Sequence, residues 1–90
     1  MRYHHHIYFN DGTVCHRSDD RQLAPEQLLG MQVRFLIHHV ATKGLWRVYE
    51  TERCVSIAPR GRWVFRLPPV SRVPTFDNED AAIAYVGLKL

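Results

Sequence analysis

The N-terminal stretch YHHHIYFNDGTVCHR, residues 3–17, predicts a β-hairpin. Its turn is Asp11-Gly12, because this pair tolerates the positive φ angles that a type I′ turn requires. The resulting register predicts the pairs Phe9–Val14, Tyr8–Cys15, Ile7–His16 and His6–Arg17. One face of the hairpin then carries Ile7, Phe9 and Val14. The other face carries His4, His6, Tyr8, Cys15 and Arg17.

The chain after this hairpin predicts two helices and three further strands. The first helix has about five turns between Pro25 and Lys43-Gly44, with a buried stripe of Leu29, Val33, Leu36, Ile37 and Val40. Strands are expected at Trp46–Glu50, Arg53–Ala58 and Trp63–Leu67, followed by an extended proline-rich connection over residues 68–74. Asp77 caps the last helix, Phe76 serves as its hydrophobic staple, and Ile83 and Val86 face inward. The order ββαβββα predicts an α+β, two-layer domain in which both helices cover one face of an antiparallel sheet.

The length of 90 residues fits a single domain spanning residues 1–90. A chain this short buries only about 60 to 65% of its unfolded surface, which leaves little room for an enclosed catalytic cavity. No apolar run approaches the roughly 18 residues of a membrane span, and residues 1–4 lack the apolar core of a signal peptide. We therefore expect a soluble, cytoplasmic protein with no membrane partner.

The positive charge of the chain is concentrated in one stretch. The formal net charge is +3, and Lys43 and Lys89 are the only lysines among 12 cationic residues, so ten are arginine. Arginine binds phosphate through two parallel hydrogen bonds, although a GC-rich genome would also favour arginine. Five arginines and no Asp or Glu lie between positions 53 and 72, the arginine-rich segment. This composition predicts a cationic surface for a polyanionic partner.

A hairpin inside the arginine-rich segment is the strongest candidate binding site. With Arg60-Gly61 at its tip, the predicted pairs are Ala58–Trp63, Ile57–Val64, Ser56–Phe65 and Val55–Arg66. One face is aliphatic, with Val55, Ile57 and Val64. The other places Trp63 and Phe65 beside Arg62, an arrangement that stacks and clamps single-stranded nucleic acid. The alternative is that Trp63, Phe65 and Leu67 form the core, since aromatic residues dominate small cores.

The run His4-His5-His6 invites a metal-site hypothesis, which the predicted hairpin weakens. His4, His6 and Cys15 would share one face and offer three zinc ligands. His6 faces the cation of Arg17 in that register, and no fourth ligand or supporting carboxylate is evident. We therefore predict no bound metal and no other cofactor. His38 and His39 are expected to flank the buried stripe of the first helix.

The sequence contains no evident pairing of a nucleophile with a base, so we predict that the protein is not an enzyme. Cys15 and the adjacent His16 point to opposite faces of a strand, and Cys54 would need His38 or His39 across the fold. A secreted disulfide scaffold of this size normally carries more than two cysteines. We therefore expect Cys15 and Cys54 to be reduced thiols.

Together these features predict a small non-catalytic binding protein that docks on nucleic acid, on a ribonucleoprotein or on an acidic protein groove. The expected contact residues are Arg53, Arg60, Arg62, Trp63, Arg66 and Arg72. Small proteins that occupy a surface of a larger assembly include phage and mobile-element inhibitors such as anti-CRISPR proteins. Two alternatives stay open: a homo-oligomer or adaptor that pairs through an exposed strand or an apolar helix face, and a metal-binding protein that uses the N-terminal histidines.

Overall fold

Seven strands and two α-helices make up the described part of the chain, residues 2–30, 32–55, 63–66 and 68–90 of a computed structural model. The strands are β1 (Tyr3–Phe9), β2 (Val14–Asp19), β3 (Val33–Val40), β4 (Leu45–Glu50), β5 (Glu52–Val55), β6 (Trp63–Arg66) and β7 (Thr75–Phe76). The helices are α1 (Pro25–Leu28) and α2 (Glu79–Lys89), and 3₁₀ turns cover Ala41–Lys43 and Val70–Arg72. The predicted α+β class, with two helices and an antiparallel sheet in an order like ββαβββα, is confirmed.

Five of the strands form one antiparallel sheet in the order β2-β1-β3-β4-β7. The strands β5 and β6 form a separate antiparallel pair. Within the described ranges, neither helix combines the length and the apolar character that a membrane-spanning helix needs.

The predicted hairpin of β1 and β2 forms, but its register is shifted by one residue. The observed pairs include His5–Arg17, His6–His16 and Ile7–Cys15. Gly12 has a φ of +92°, whereas no described residue other than glycine has a positive φ, so Asp11 does not fit a type I′ turn. The Gly12 N–H donates to the Phe9 carbonyl at 3.1 Å, which closes a three-residue loop. The prediction that Cys15 and Arg17 share a face with His6 is therefore wrong, because both lie on the face of His5.

The predicted long helix over residues 25–43 is wrong for most of its length. The helix α1 ends at Leu28, and Val33–Val40 is the central strand of the sheet. This strand is covered on both faces, so its sequence lacks the alternation of a half-exposed strand. His38 and His39, predicted on a helix, therefore lie in β3.

Two apolar clusters lie on opposite faces of the sheet. On the first, the short-helix face, the cluster contains Ile7, Leu36 and Tyr49 with Leu23, Leu28 and Leu29. On the second, the long-helix face, the cluster contains Tyr8, Phe35, Ile37 and Val48 with Ala82 and Val86. Leu36 and Ile37 are adjacent and both 0% exposed, yet they belong to different clusters because side chains alternate along a strand. Each helix covers its own face of the sheet, so the predicted two-layer arrangement with both helices on one face is wrong.

The helix α2 begins one residue later than predicted. Asn78 is its cap, and its side-chain oxygen accepts a hydrogen bond from the Ala81 N–H at 2.8 Å; the predicted cap was Asp77. Val86 is buried, as predicted, and Ile83 is partly buried. The connection before this helix was predicted to be extended throughout. Instead, it contains the 3₁₀ turn Val70–Arg72.

Candidate functional site

Part of the arginine-rich segment lies within the described residues. Arg53 falls in β5, and Trp63 and Arg66 are the first and last residues of β6. Arg60 and Arg62, the predicted tip of the hairpin, lie outside the described residues. Arg72 ends the 3₁₀ turn Val70–Arg72 and is exposed to solvent.

The register of β5 and β6 differs from the predicted one. The observed pairs are Glu52–Arg66, Arg53–Phe65, Cys54–Val64 and Val55–Trp63. The predicted pair Val55–Arg66 is wrong, because Val55 pairs with Trp63 and Arg66 pairs with Glu52. Because opposite positions share a face, positions 53, 55, 63 and 65 fall on one face and position 64 on the other. The register therefore separates Val55 from Val64, which were predicted to share an aliphatic face.

Arg72 lines an open groove of about 710 Å³ on the long-helix face. The other lining residues are Phe35, Val48, Glu50, Thr51, Pro68, Pro74 and Tyr85. The groove combines apolar residues with one acid, Glu50, and one base, Arg72. Its volume lies in the range of small-molecule pockets, and it adjoins the C-terminal end of the arginine-rich segment.

All six histidines lie on three neighbouring strands, an arrangement that we call the histidine array. They are His16 on β2, His4, His5 and His6 on β1, and His38 and His39 on β3. Sequence reasoning missed the array because it placed residues 33–40 in a helix, which removed two of its members from the sheet. The signal that could have found it is the β-branched and aromatic content of VRFLIHHV, which favours a strand.

On the short-helix face, His5 and His38 are buried and their rings stack with centroids 4.9 Å apart and planes 13° apart. The Nε2–H of His38 donates to the Leu23 carbonyl at 2.7 Å. Strand register places Arg17 opposite His5 and Arg47 opposite His38. Two buried imidazoles therefore lie in one row between two arginines.

The histidine array also supplies hydrogen-bond acceptors to backbone N–H groups. The His39 N–H donates to His5 Nδ1 at 3.3 Å, and the His4 N–H donates to His39 Nδ1 at 3.2 Å. An imidazole nitrogen accepts a hydrogen bond only when it carries no proton. Both bonds therefore require Nδ1 of His5 and of His39 to be unprotonated.

Burial disfavours the charged form of three members of the array. It lowers the pKa of His5 to about 4, with the neighbouring His38 contributing in the same direction. Burial also lowers the pKa of His38 and that of His39. The lowered pKa values favour the neutral form of all three side chains. The hydrogen bonds that His5 and His39 accept require that form.

On the long-helix face, the remaining histidines contact aromatic and acidic side chains. His6 Nε2 lies 2.9 Å from Glu79 Oε2, and the His6 ring meets the His16 ring edge-on at 4.3 Å. The rings of His39 and Trp46 stack at 3.9 Å with planes 1° apart. The contact between His6 and Glu79 ties the start of α2 to the sheet.

The histidine array does not present the metal ligands that were considered from the sequence. Cys15 lies on the face of His5, whereas His4 and His6 lie on the opposite face. Across the described ranges, no group of three or more His, Cys, Asp or Glu residues is arranged to hold a metal ion.

Comparisons with protein-family models, with curated proteins and with solved structures gave no match.

Proposed function

We propose that this protein is a non-catalytic binding protein that docks on a nucleic acid or a ribonucleoprotein through its arginine-rich segment. The observation that carries the proposal is the presence of five arginines and no acidic residue between positions 53 and 72. Phosphate groups are the partners for which arginine is best suited, because its planar group donates two parallel hydrogen bonds. An acidic protein groove is the competing partner with the same charge.

The backbone of the segment supports this proposal. The strands β5 and β6 pair with each other and are not part of the five-stranded sheet. A two-stranded antiparallel ribbon has the dimensions to enter the major groove of duplex DNA. The register sets the arginine at position 53 opposite the aromatic residue at position 65, which combines the two residue types that contact single-stranded bases.

Within the proposal, we place the protein in the cytoplasm and assign it an inhibitory role of the kind played by phage and mobile-element proteins, including anti-CRISPR proteins. A protein of 90 residues that binds by its surface acts on a larger assembly chiefly by occupying part of it. The size of the chain and the charge of the segment support this role.

The test is the salt dependence of binding to short labelled single-stranded RNA, single-stranded DNA and duplex DNA. We expect the Arg60→Ala/Arg62→Ala variant to bind more weakly than the wild type. The slope of log affinity against log salt should flatten by about one to two units, because each phosphate contact contributes roughly 0.9 for duplex DNA. The melting temperature should change little, since the sequence predicts both arginines at a turn and surface substitutions usually alter stability by no more than about 0.5 kcal/mol.

The matched control is Arg21→Ala/Lys43→Ala, which removes two exposed cations outside the segment. It should keep the wild-type slope. Equal affinities and slopes for all three proteins would show that the segment is not the surface that binds nucleic acid. If the protein binds none of the nucleic acids but captures an acidic protein in a salt-sensitive way, the arginine-rich segment binds a protein partner instead.

A second candidate function, self-association, is favoured by the strand β2. It forms an edge of the five-stranded sheet, and every one of its residues except Asp19 is exposed. Arg17 and Asp19 form an ion pair at 3.1 Å within the strand. A second copy pairing antiparallel about Ser18 would place each Arg17 opposite the Asp19 of the other copy. Such pairing relies on backbone hydrogen bonds, and it would depend on salt much less than phosphate binding does.

A further inference from the structure

We infer that the junction of β1 and β3 at residues 4–5 and 38–39, the histidine seam, is a proton-sensitive device that opens locally when the medium is acidified. The inference is independent of the proposed function, because it concerns different residues. It assigns a role to buried histidines that neither the arginine-rich segment nor the edge strand uses.

The geometry of the seam depends on neutral imidazoles. Backbone pairing joins β1 and β3 over residues 6–9 and 33–37. Beyond that stretch, the N–H groups of His39 and His4 donate to Nδ1 of His5 and Nδ1 of His39. A protonated Nδ1 is a donor, so protonation removes each acceptor and sets two donors against each other.

The charges around the seam oppose protonation. Arg17 faces His5 from β2, and Arg47 faces His38 from β4, so a charged His5 or His38 adds a cation to a row that already ends in two arginines. His38 stacks on His5, and Tyr49 of β4 meets the His38 ring edge-on.

Three carboxylates act in the opposite direction, and each comes from a different neighbouring element. They are Asp19 of β2 near His5, Glu26 of α1 near His38 and Glu79 of α2 near His39. Burial outweighs them, since the pKa of all three histidines is lowered despite these acids.

The segment that covers the short-helix face is attached to this seam. The Leu23 carbonyl accepts the hydrogen bond of His38, and the Gln22 side-chain amide donates to the His39 carbonyl at 2.9 Å. A buried imidazolium is stabilised by water. Opening of the seam therefore lifts residues 22–23 from the sheet and hydrates the row of histidines.

The pH window follows from His5. Its pKa is about 4 in the closed seam against the ordinary 6.5 when open, so the open state binds the proton more readily. The closed state is fully favoured above pH 6.5 and loses stability as the pH falls from about 6.5 to about 4. The opening constant should rise about 30-fold between pH 8 and pH 5, and about 300-fold below pH 4.

The experiment measures hydrogen-exchange protection of the His4 and His39 amides by NMR between pH 8 and pH 5, with the Leu36 amide of the paired region as internal reference. The seam variant is His5→Asn/His39→Asn, because the Asn oxygen can accept the same N–H but cannot be protonated. The control is His16→Asn, which removes an exposed histidine that lies outside the seam and whose ring accepts no backbone N–H in the described structure. The protection factor is the intrinsic exchange rate divided by the observed exchange rate. In the wild type and in the control, the protection factor of the His39 amide should fall about 30-fold from pH 8 to pH 5.

In the seam variant, protection at that amide should be nearly independent of pH. An equal loss of protection in the seam variant and the control would overturn the inference. The ring-carbon NMR signal of His5 in the wild type gives a second measurement that needs no variant. A measured pKa near 6.5 for His5 would overturn the inference even if the seam variant failed to fold, and a value near 4 would support it.

Discussion

A neutral imidazole carries one donor and one acceptor, and neither buried histidine of the short-helix face satisfies both. His38 donates through Nε2, but its Nδ1 has no partner within the described residues; His5 accepts through Nδ1, but its Nε2 has none there. An unsatisfied buried polar atom costs about 1 to 3 kcal/mol. Ring stacking offsets about 0.5 to 1.5 kcal/mol of that. The pair therefore contributes less to stability than aliphatic side chains of similar volume would, which fits a role in titration.

The cap of α2 provides a test at a single residue. Asn78→Ala removes the oxygen that accepts the Ala81 N–H and should lower the free energy of unfolding by about 1 kcal/mol. Asp77→Ala is the matched control and should cost less, because Asp77 is exposed and does not cap the helix. Urea unfolding of both variants decides the point. If Asp77→Ala lowers the free energy of unfolding more than Asn78→Ala does, Asp77 is the cap, as predicted from the sequence.

Among the elements, β2 is the one whose outer edge bears on function. Arg2 reaches across this edge: its guanidinium donates to the Ser18 carbonyl at 2.7 Å and to the Ser18 hydroxyl at 3.0 Å. An edge carbonyl occupied by a charged side chain is unavailable to a second strand. Arg2 therefore opposes the self-association that the exposure of β2 favours.

Arg2→Ala should raise the dimer fraction measured by analytical ultracentrifugation. The expected increase in the association constant is several-fold, because a freed hydrogen-bonding group is worth about 1 kcal/mol. Arg21→Ala, which removes another exposed arginine, should leave the mass distribution unchanged. If both variants stay monomeric at every concentration, the edge of β2 does not pair with itself and the self-association function loses its support.

The elements also show how far the sequence could predict this fold. Asp11-Gly12 correctly located the first hairpin, but the same dipeptide fits a two-residue turn and a three-residue loop, and these differ in register by one residue. The stripe of Leu29, Val33, Leu36, Ile37 and Val40 matched helical spacing by coincidence. A central strand buried on both faces has no alternation to identify it, so pattern alone could not exclude a helix.

Only the positive charge of the candidate site could be predicted from the sequence. The arginine-rich segment is evident from composition, and Arg72 is exposed in the structure. The histidine seam depends on pairing between residues more than 30 positions apart in the chain, here His4 with His39 and His5 with His38. Such pairing follows from the order of strands in the sheet, which local sequence does not specify.

At the scale of the whole molecule, β3 is the only described strand that contributes residues with no solvent exposure to both apolar clusters: Leu36 to one and Ile37 to the other. The backbone of this strand links the two clusters, while the sheet separates their side chains. Small perturbations of the two clusters should therefore be energetically independent, whereas perturbations within one cluster should interact.

Double-mutant cycles test this independence. Ile7→Val acts in the cluster of the short-helix face, and Ile37→Val and Val86→Ala act in that of the long-helix face. Each Ile→Val change should lower the free energy of unfolding by about 0.5 to 1.5 kcal/mol. Ile7→Val and Val86→Ala should be additive within about 0.5 kcal/mol, whereas Ile37→Val and Val86→Ala should deviate by more, because both are 0% exposed in one cluster. The measurement is denaturant unfolding of the single and double variants. Strong coupling between Ile7 and Val86 would show that the clusters respond as a single core, and the separation of the two faces by the sheet would then have no energetic meaning.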